Sequence, residues 1–222
     1  MLRAMTKAEK WIREHSHSEL MADAVLHMLG LGFVFGALVA LAAIALPNAE
    51  PEVLVGLAVY VGGMVSMFGC SALYNLTRNP ARRALFRRFD HAAIFVMIAG
   101  SYTPFALSAI GGDWGHGLLI FVWSVALVGA GVKLALPGRF ERLAIVAYLL
   151  QGWTVMVAIQ PLLDAVSGAG LVLLLTGGVL YSAGVIFHLW ERLPYQTAIW
   201  HGCVLAAAAC HFAAVVHDVA IA

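Results

Sequence analysis

The sequence predicts an all-α membrane protein: a bundle of seven transmembrane helices. Three observations carry that reading. First, 62% of the 222 residues are hydrophobic and only 11% are charged, with a mean hydropathy of +0.90. Soluble domains carry roughly a quarter charged residues, so a soluble globular domain, a disordered chain and a nucleic-acid binder are all excluded. Second, the apolar residues fall into seven runs, each close to the ~20 residues that cross a bilayer. Third, every one of the 13 Lys and Arg residues falls on one side of the resulting topology.

The runs cover residues 24–46, 53–76, 91–110, 117–136, 143–163, 170–190 and 197–217. The breaks have turn chemistry: Pro47, Asn48 and Pro51; Gly111, Gly112 and Asp113; Pro137 and Gly138; Ser167 and Gly168; Leu193, Pro194 and Tyr195. Proline lacks the helix donor, and glycine costs backbone entropy in a helix. No run shows the alternation of a membrane barrel, so helices must satisfy the backbone within lipid. Residues 1–20 read as a polar N-terminal tail without a cleavable signal peptide, and 21–222 as the seven-span domain. Within the tail, Trp11, Ile12, Arg13 and Glu14 suit a short interfacial helix.

Basic residues mark the cytoplasmic side. They occupy the tail (Arg3, Lys7, Lys10, Arg13) and residues 78–88 between spans 2 and 3 (Arg78, Arg82, Arg83, Arg87, Arg88). The others are Lys133, Arg139 and Arg142 around the next loop on that side, and Arg192 before span 7. The opposite side holds Glu50, Glu52, Asp113, Asp164 and Asp218. The N-terminus is thus expected in the cytoplasm and the C-terminus outside, in a bacterial inner membrane. The arginine-rich segment suits anionic lipid headgroups. Leu85, Phe86 and Phe89 among those arginines suggest an amphipathic helix lying on the surface.

Cys70, Cys203 and Cys210 are an odd set in apolar runs and make no disulfide framework. Gly32 and Gly36, Gly129 and Gly131, and Gly177 and Gly178 are expected to let helices pack closely. Gln151 and Gln160 are expected to hydrogen-bond between helices. Pro104 should kink span 3 and free carbonyls that Ser101 or a neighbouring helix can satisfy. Span 7 has no lysine for a retinal Schiff base.

Polar residues at membrane depth gather near the cytoplasmic ends of the spans, which makes them site candidates. Asp23 and His27 open span 1, and both can sit in interfacial water. Ser71 and Asn75 close span 2 on one face. Asp90 and His91 open span 3, where Asp90 can cap the helix and offset the arginines before it. His188 and Glu191 close span 6, with an interfacial place for His188. Thr197 and His201 open span 7. His211 lies deeper and reads as a packing histidine.

The run Arg88, Phe89, Asp90, His91, Ala92, Ala93, Ile94, Phe95 and the run from Ala99 to Phe105 resemble the signature of the haemolysin III proteins. That is the bacterial branch of the progestin and adipoQ receptor family. Ser71-Ala72-Leu73-Tyr74, Leu193-Pro194-Tyr195, Ala198-Ile199-Trp200-His201 and His211-Phe212 resemble it too, so the likeness covers about residues 19–217. It implies seven spans and a cytoplasmic N-terminus, in agreement with the charge count. It also implies zinc held by three histidines, with Asp90 supporting or activating a zinc-bound water and Ser71 beside it. Mapped onto this chain, Ser71, Asp90 and His201 match, but the other two histidine positions are Asn75 and Thr197. With two ligands gone, the expectation is a metal-free hydrogen-bonded cluster of Ser71, Asn75, Asp90, Thr197 and His201. His27, His91 and His188 stand in reserve as substitute ligands.

Three functions follow as expectations. One is a part in membrane lipid homeostasis through a cytoplasm-facing polar pocket with a degenerate zinc site and membrane lipids as partners. The second is a zinc-dependent lipid amide hydrolase of ceramidase-like type. The third is a pore-forming, cytolytic channel.

Overall fold

The computed structural model describes residues 16–221 and is helical throughout its spans. Among the described residues, seven helices are long and apolar enough to cross a membrane. They are α1 (His17–Ala45), α2 (Pro51–Leu76), α3 (Pro80–Ile110), α4 (Gly112–Ala135), α5 (Glu141–Ala165), α6 (Gly168–Leu189) and α7 (Gln196–Ala220). The segment around Trp11 lies outside the described residues. All three cysteines are free.

The surface is apolar, as lipid demands. Phe35, Ile120, Val128, Leu150 and Val157 are 68–75% exposed, an arrangement that water would penalise by roughly 25 cal/mol per Å². The helix α3 is the most enclosed, with half of its apolar stretch buried against 17% in α5 and in α6. It packs against α2 through small residues. A side chain at Gly56 would run into the backbone of Pro104, and Gly63 faces Met97 and Gly100. Gly56 and Gly63 are seven residues apart, so both lie on the α2 face that meets α3. The glycines expected to pack divide. Gly129 receives the Phe95 ring and Gly177 the His211 ring, whereas Gly32, Gly36 and Gly131 have open space where a Cβ would stand.

The arginine-rich segment is not a separate surface helix. Asn79 caps the helix by accepting from the amides of Ala81 and Arg82, both at 3.1 Å, and Pro80 takes the first turn. The helix then runs unbroken into the bundle. Asp90 is therefore a mid-helix residue and caps nothing. Arg83, 2% exposed, folds back to donate to the carbonyls of Tyr74 (3.0 Å) and Asn75 (3.2 Å) and stacks over the Tyr74 ring. It thereby fixes the end of α2 against the start of α3.

Three spans are irregular: α7 ends in a π-helical turn over Val216–Ala220, and in the other two side chains bond the freed backbone. Beyond Pro104, α3 widens into a π-helical turn over Phe105–Ile110. Within α3, Ser101 donates to the Ile98 carbonyl, Thr103 to Ala99, and Ser108 to Pro104. The helix α5 tightens into a 3₁₀ turn at Thr154–Ala158. There the Tyr102 hydroxyl donates to the Gly152 carbonyl (2.6 Å) and accepts from the Val155 amide (3.0 Å). Gln151, 1% exposed, donates to the carbonyls of Phe95 and Val122 and so joins α3, α4 and α5. Gln160 instead pairs along its own helix with Asp164, where a four-residue spacing makes a partner available without a second helix.

The termini of α1 and α7 are joined at the basic end of the bundle. Ser16 and Glu19 form a reciprocal capping box at the start of α1. The second Glu19 oxygen accepts from the Tyr195 amide at 3.0 Å, just before α7. That clasp sets the first turns of α1 and α7 side by side.

Candidate functional site

One turn beyond the clasp, α1 presents Asp23 and α7 presents His201. The Asp23 carboxylate lies 2.6 Å from His201 Nδ1. His27, four residues along α1, lies on the same face. Its ring stands edge-on to that of His201 with centroids 4.4 Å apart. Asp23 and His27 are 4% and 5% exposed. Neither sits in interfacial water, because α2 and α7 close over that face of α1.

The helix α2 contributes Ser71 and Asn75. Asn75 Nδ2 donates back to the Ser71 carbonyl at 3.0 Å and approaches His27 Nε2 at 3.3 Å. Ser71 Oγ is also 3.3 Å from His27 Nε2. His27 Nδ1 lies 2.8 Å from the Asp23 backbone carbonyl. A carbonyl only accepts, so Nδ1 carries the proton and Nε2 offers its lone pair to the α2 side chains. Asp90 enters from α3, with Ser71, His27 and His201 as neighbours.

This polar cluster is one wall of a cavity of about 210 Å³. His27, Ser71, Asp90 and His201 line its polar end, and His91 and His188 line it too. From there the walls turn apolar, through Met67, Met97, Ile98, Leu149 and Val204. Tyr181, Trp153, Ser182 and His211 line it as well. Trp153 Nε1 donates to Ser182 at 3.0 Å, and His211 Nε2 meets the Leu174 carbonyl at 3.3 Å. His211 is thus held in packing, and His188 lines the cavity. Asp90 and Ser101, eleven residues apart on α3, both face it.

Beside the polar end, Glu141 gathers Arg87, His91 and Lys133, each at 3.3 Å. Lys133 is 3% exposed at the end of α4, so this carboxylate joins α3, α4 and α5 there. Glu191 is exposed on the loop before α7.

Of the cluster expected from sequence, Ser71, Asn75, Asp90 and His201 come together. Thr197 does not: its hydroxyl bonds the adjacent Gln196 side chain at 3.4 Å. Asp23 and His27 take part in its stead. The signal for them was their four-residue spacing, the same as that of Ser71 with Asn75. What sequence could not supply was their burial. The donors present fit a metal: Asp23, His27 and His201 each offer a ligand atom within 4.8 Å of the others. Two imidazoles and a carboxylate suit zinc with an open fourth position.

Known proteins resemble this chain over most of its length. Hemolysin-3 of Bacillus cereus is 36% identical over 212 residues, covering 96% of this chain and 94% of the relative. The Hemolysin-3 homolog of Bacillus subtilis (strain 168) is 37% identical over 194 residues, 87% of this chain and 91% of the relative. The human monocyte to macrophage differentiation factor is 25% identical over 163 residues, 71% of this chain and 67% of the relative. The family model for haemolysin-III related proteins matches residues 15–212. With its seven apolar helices, this chain is an integral membrane protein and belongs to the haemolysin-III related family.

Proposed function

We propose that the protein acts in membrane lipid homeostasis by taking an amphipathic lipid into the cavity, from an inner-membrane location with its N-terminus in the cytoplasm. One observation carries this reading: a polar end built by His27, Ser71, Asp90 and His201 continues directly into apolar walls. Such a space matches a molecule with a hydrogen-bonding head and a hydrocarbon chain. The basic residues Arg78, Arg82, Arg87 and Arg88 near that end favour anionic headgroups at the adjoining leaflet. At the family's own ligand positions the zinc site is degenerate, since Asn75 and Thr197 replace histidines.

A second reading, a ceramidase-like amide hydrolase, is favoured by the placing of Asp90 and Ser71 beside donors that fit zinc. Bound zinc would supply Lewis acidity at the polar end. Asp90 would hold the proton that an attacking water must lose, and Ser71 would donate a hydrogen bond to a carbonyl oxygen. The name of the Bacillus relatives raises lysis as a third possibility. The apolar walls of the cavity speak for a lipid ligand over an aqueous passage.

The test is lipid analysis of detergent-purified protein, set beside whole-membrane lipid profiles. Val185 also lines the cavity, and wild type is expected to retain lipid that a cavity-filling Val185→Trp variant loses severalfold. A strain carrying Asp90→Ala is expected to reproduce the altered lipid profile of a deletion strain. Equal lipid retention in both proteins, or an unchanged profile on deletion, overturns the reading. A lipid amide consumed by wild type but not by Asp90→Ala would establish the hydrolase. Dye release from protein-bearing liposomes would establish the pore.

A further inference from the structure

Asn75 and Thr197 occupy the two positions at which the family resemblance places histidines. An amide oxygen is a poor zinc ligand, and Thr197 is turned toward Gln196. The first helix offers what those positions lack. We propose that this chain holds a divalent transition metal, zinc, through Asp23, His27 and His201, with α1 supplying two of the three ligands.

The geometry supports this set in four ways. The three residues bring one ligand atom each to within 4.8 Å of the others. They are enclosed, with side-chain exposures of 5%, 4% and 15%, which excludes competing bulk water. His27 is held in one tautomer by the Asp23 carbonyl, 2.8 Å from Nδ1, so Nε2 carries the lone pair that a metal would take over from its 3.3 Å contacts with Ser71 and Asn75. Metal-binding histidines in general fix their second nitrogen in this way. Finally, α1 and α7 are held together by the Glu19–Tyr195 contact at 3.0 Å, so the donors are positioned before any metal arrives. Ser71 and Asn75, both near His27 Nε2, become positioning residues rather than ligands.

The rival is a closed metal-free network, in which the Asp23–His201 contact at 2.6 Å is the final state. This ligand set stands or falls separately from the lipid reading, because its test measures metal alone. Purified wild type is stripped with chelator, reloaded with zinc, desalted and analysed by elemental mass spectrometry. About one zinc per chain is expected. X-ray absorption at the zinc edge on the same sample is expected to count two imidazoles. Asp23→Asn and His27→Gln are expected to retain at least about tenfold less zinc, and Thr197→Ala to retain it fully. Circular dichroism confirms that the variants remain helical, and the absorption measurement needs no variant. Wild type that reloads with less than about a tenth of a zinc per chain overturns the proposal. So do three imidazoles at the metal, or wild-type zinc retention in both α1 variants.

Discussion

The two ends of the bundle carry the same residue types and use them differently. At the basic end Asp23, His27, Ser71 and His201 meet. At the acidic end Asp218, His217 and Ser167 meet: Asp218 accepts from the Ser167 amide at 3.1 Å, and His217 Nδ1 lies 3.2 Å from Asp218 and 3.3 Å from Ser167 Oγ. The basic-end residues spread their contacts over more atoms. His27 employs both ring nitrogens, and Asp23 uses its backbone for one histidine and its carboxylate for another. At the acidic end a single nitrogen, Nδ1 of His217, faces both partners. The His217 side chain is 52% exposed, against 4% for the His27 side chain. The acidic-end trio closes the start of α6, and the basic-end group borders a cavity. An aspartate, a histidine and a serine near one another are therefore no evidence of chemistry until burial, atom usage and an adjoining space agree.

Substitution at both ends breaks or sharpens this contrast. The largest effect is expected for Asp23→Ala, which takes the carboxylate acceptor from His201 while His27 keeps the backbone carbonyl of residue 23. Each orphaned buried polar group costs roughly 1–3 kcal/mol. A drop of several degrees in the apparent melting temperature in detergent checks this, and an unchanged melting temperature removes the contrast. Gly170→Ala comes next. Its Cβ would collide with the Asp218 carboxylate, so the carboxylate must swing away and the Ser167 amide loses its acceptor. A cost of about 1–2 kcal/mol is expected. Asp218→Ala removes that acceptor without a collision and is expected to cost about 1 kcal/mol, in the range of a lost helix cap. His217→Ala is expected to stay within about 0.5 kcal/mol of wild type, as exposed substitutions do. Equal losses for His217→Ala and Asp23→Ala in the same melting assay would mean that the two ends are built alike.

Much of the site was legible because membrane burial makes polar residues conspicuous. Asp90, Ser71 and His201 stand out in apolar runs, and the alternation of seven spans places them at one end. Thr197 was misjudged because a residue in the first turn of α7 has two choices that sequence cannot separate: inward to the cluster or sideways to its neighbour. Gly32 and Gly36 were misjudged for a related reason. Their four-residue spacing defines a smooth helix face, but which face of α1 meets another helix depends on how that helix is rotated. Here Asp23, His27 and Gly30 turn inward, and Gly32 and Gly36 are left facing open space. Arg83 was counted as one of a cluster of surface charges. Its burial depends on α3 starting as early as Pro80, so that its side chain reaches the carbonyls at the end of α2.

The sequence by itself determined the number of spans and the polar residues that lie near one end. Hydropathy and helix rise are local quantities, summed along the chain without knowledge of any partner. Only the tertiary structure decided which polar residues meet. It turned α1 so that Asp23 and His27 face His201, turned Thr197 aside, and opened the space that Asp90 and Ser71 border. Those outcomes depend on helix rotation and on contacts between residues up to 178 positions apart, as Asp23 and His201 are. Packing of whole helices sets these relations, and no stretch of the chain encodes them alone.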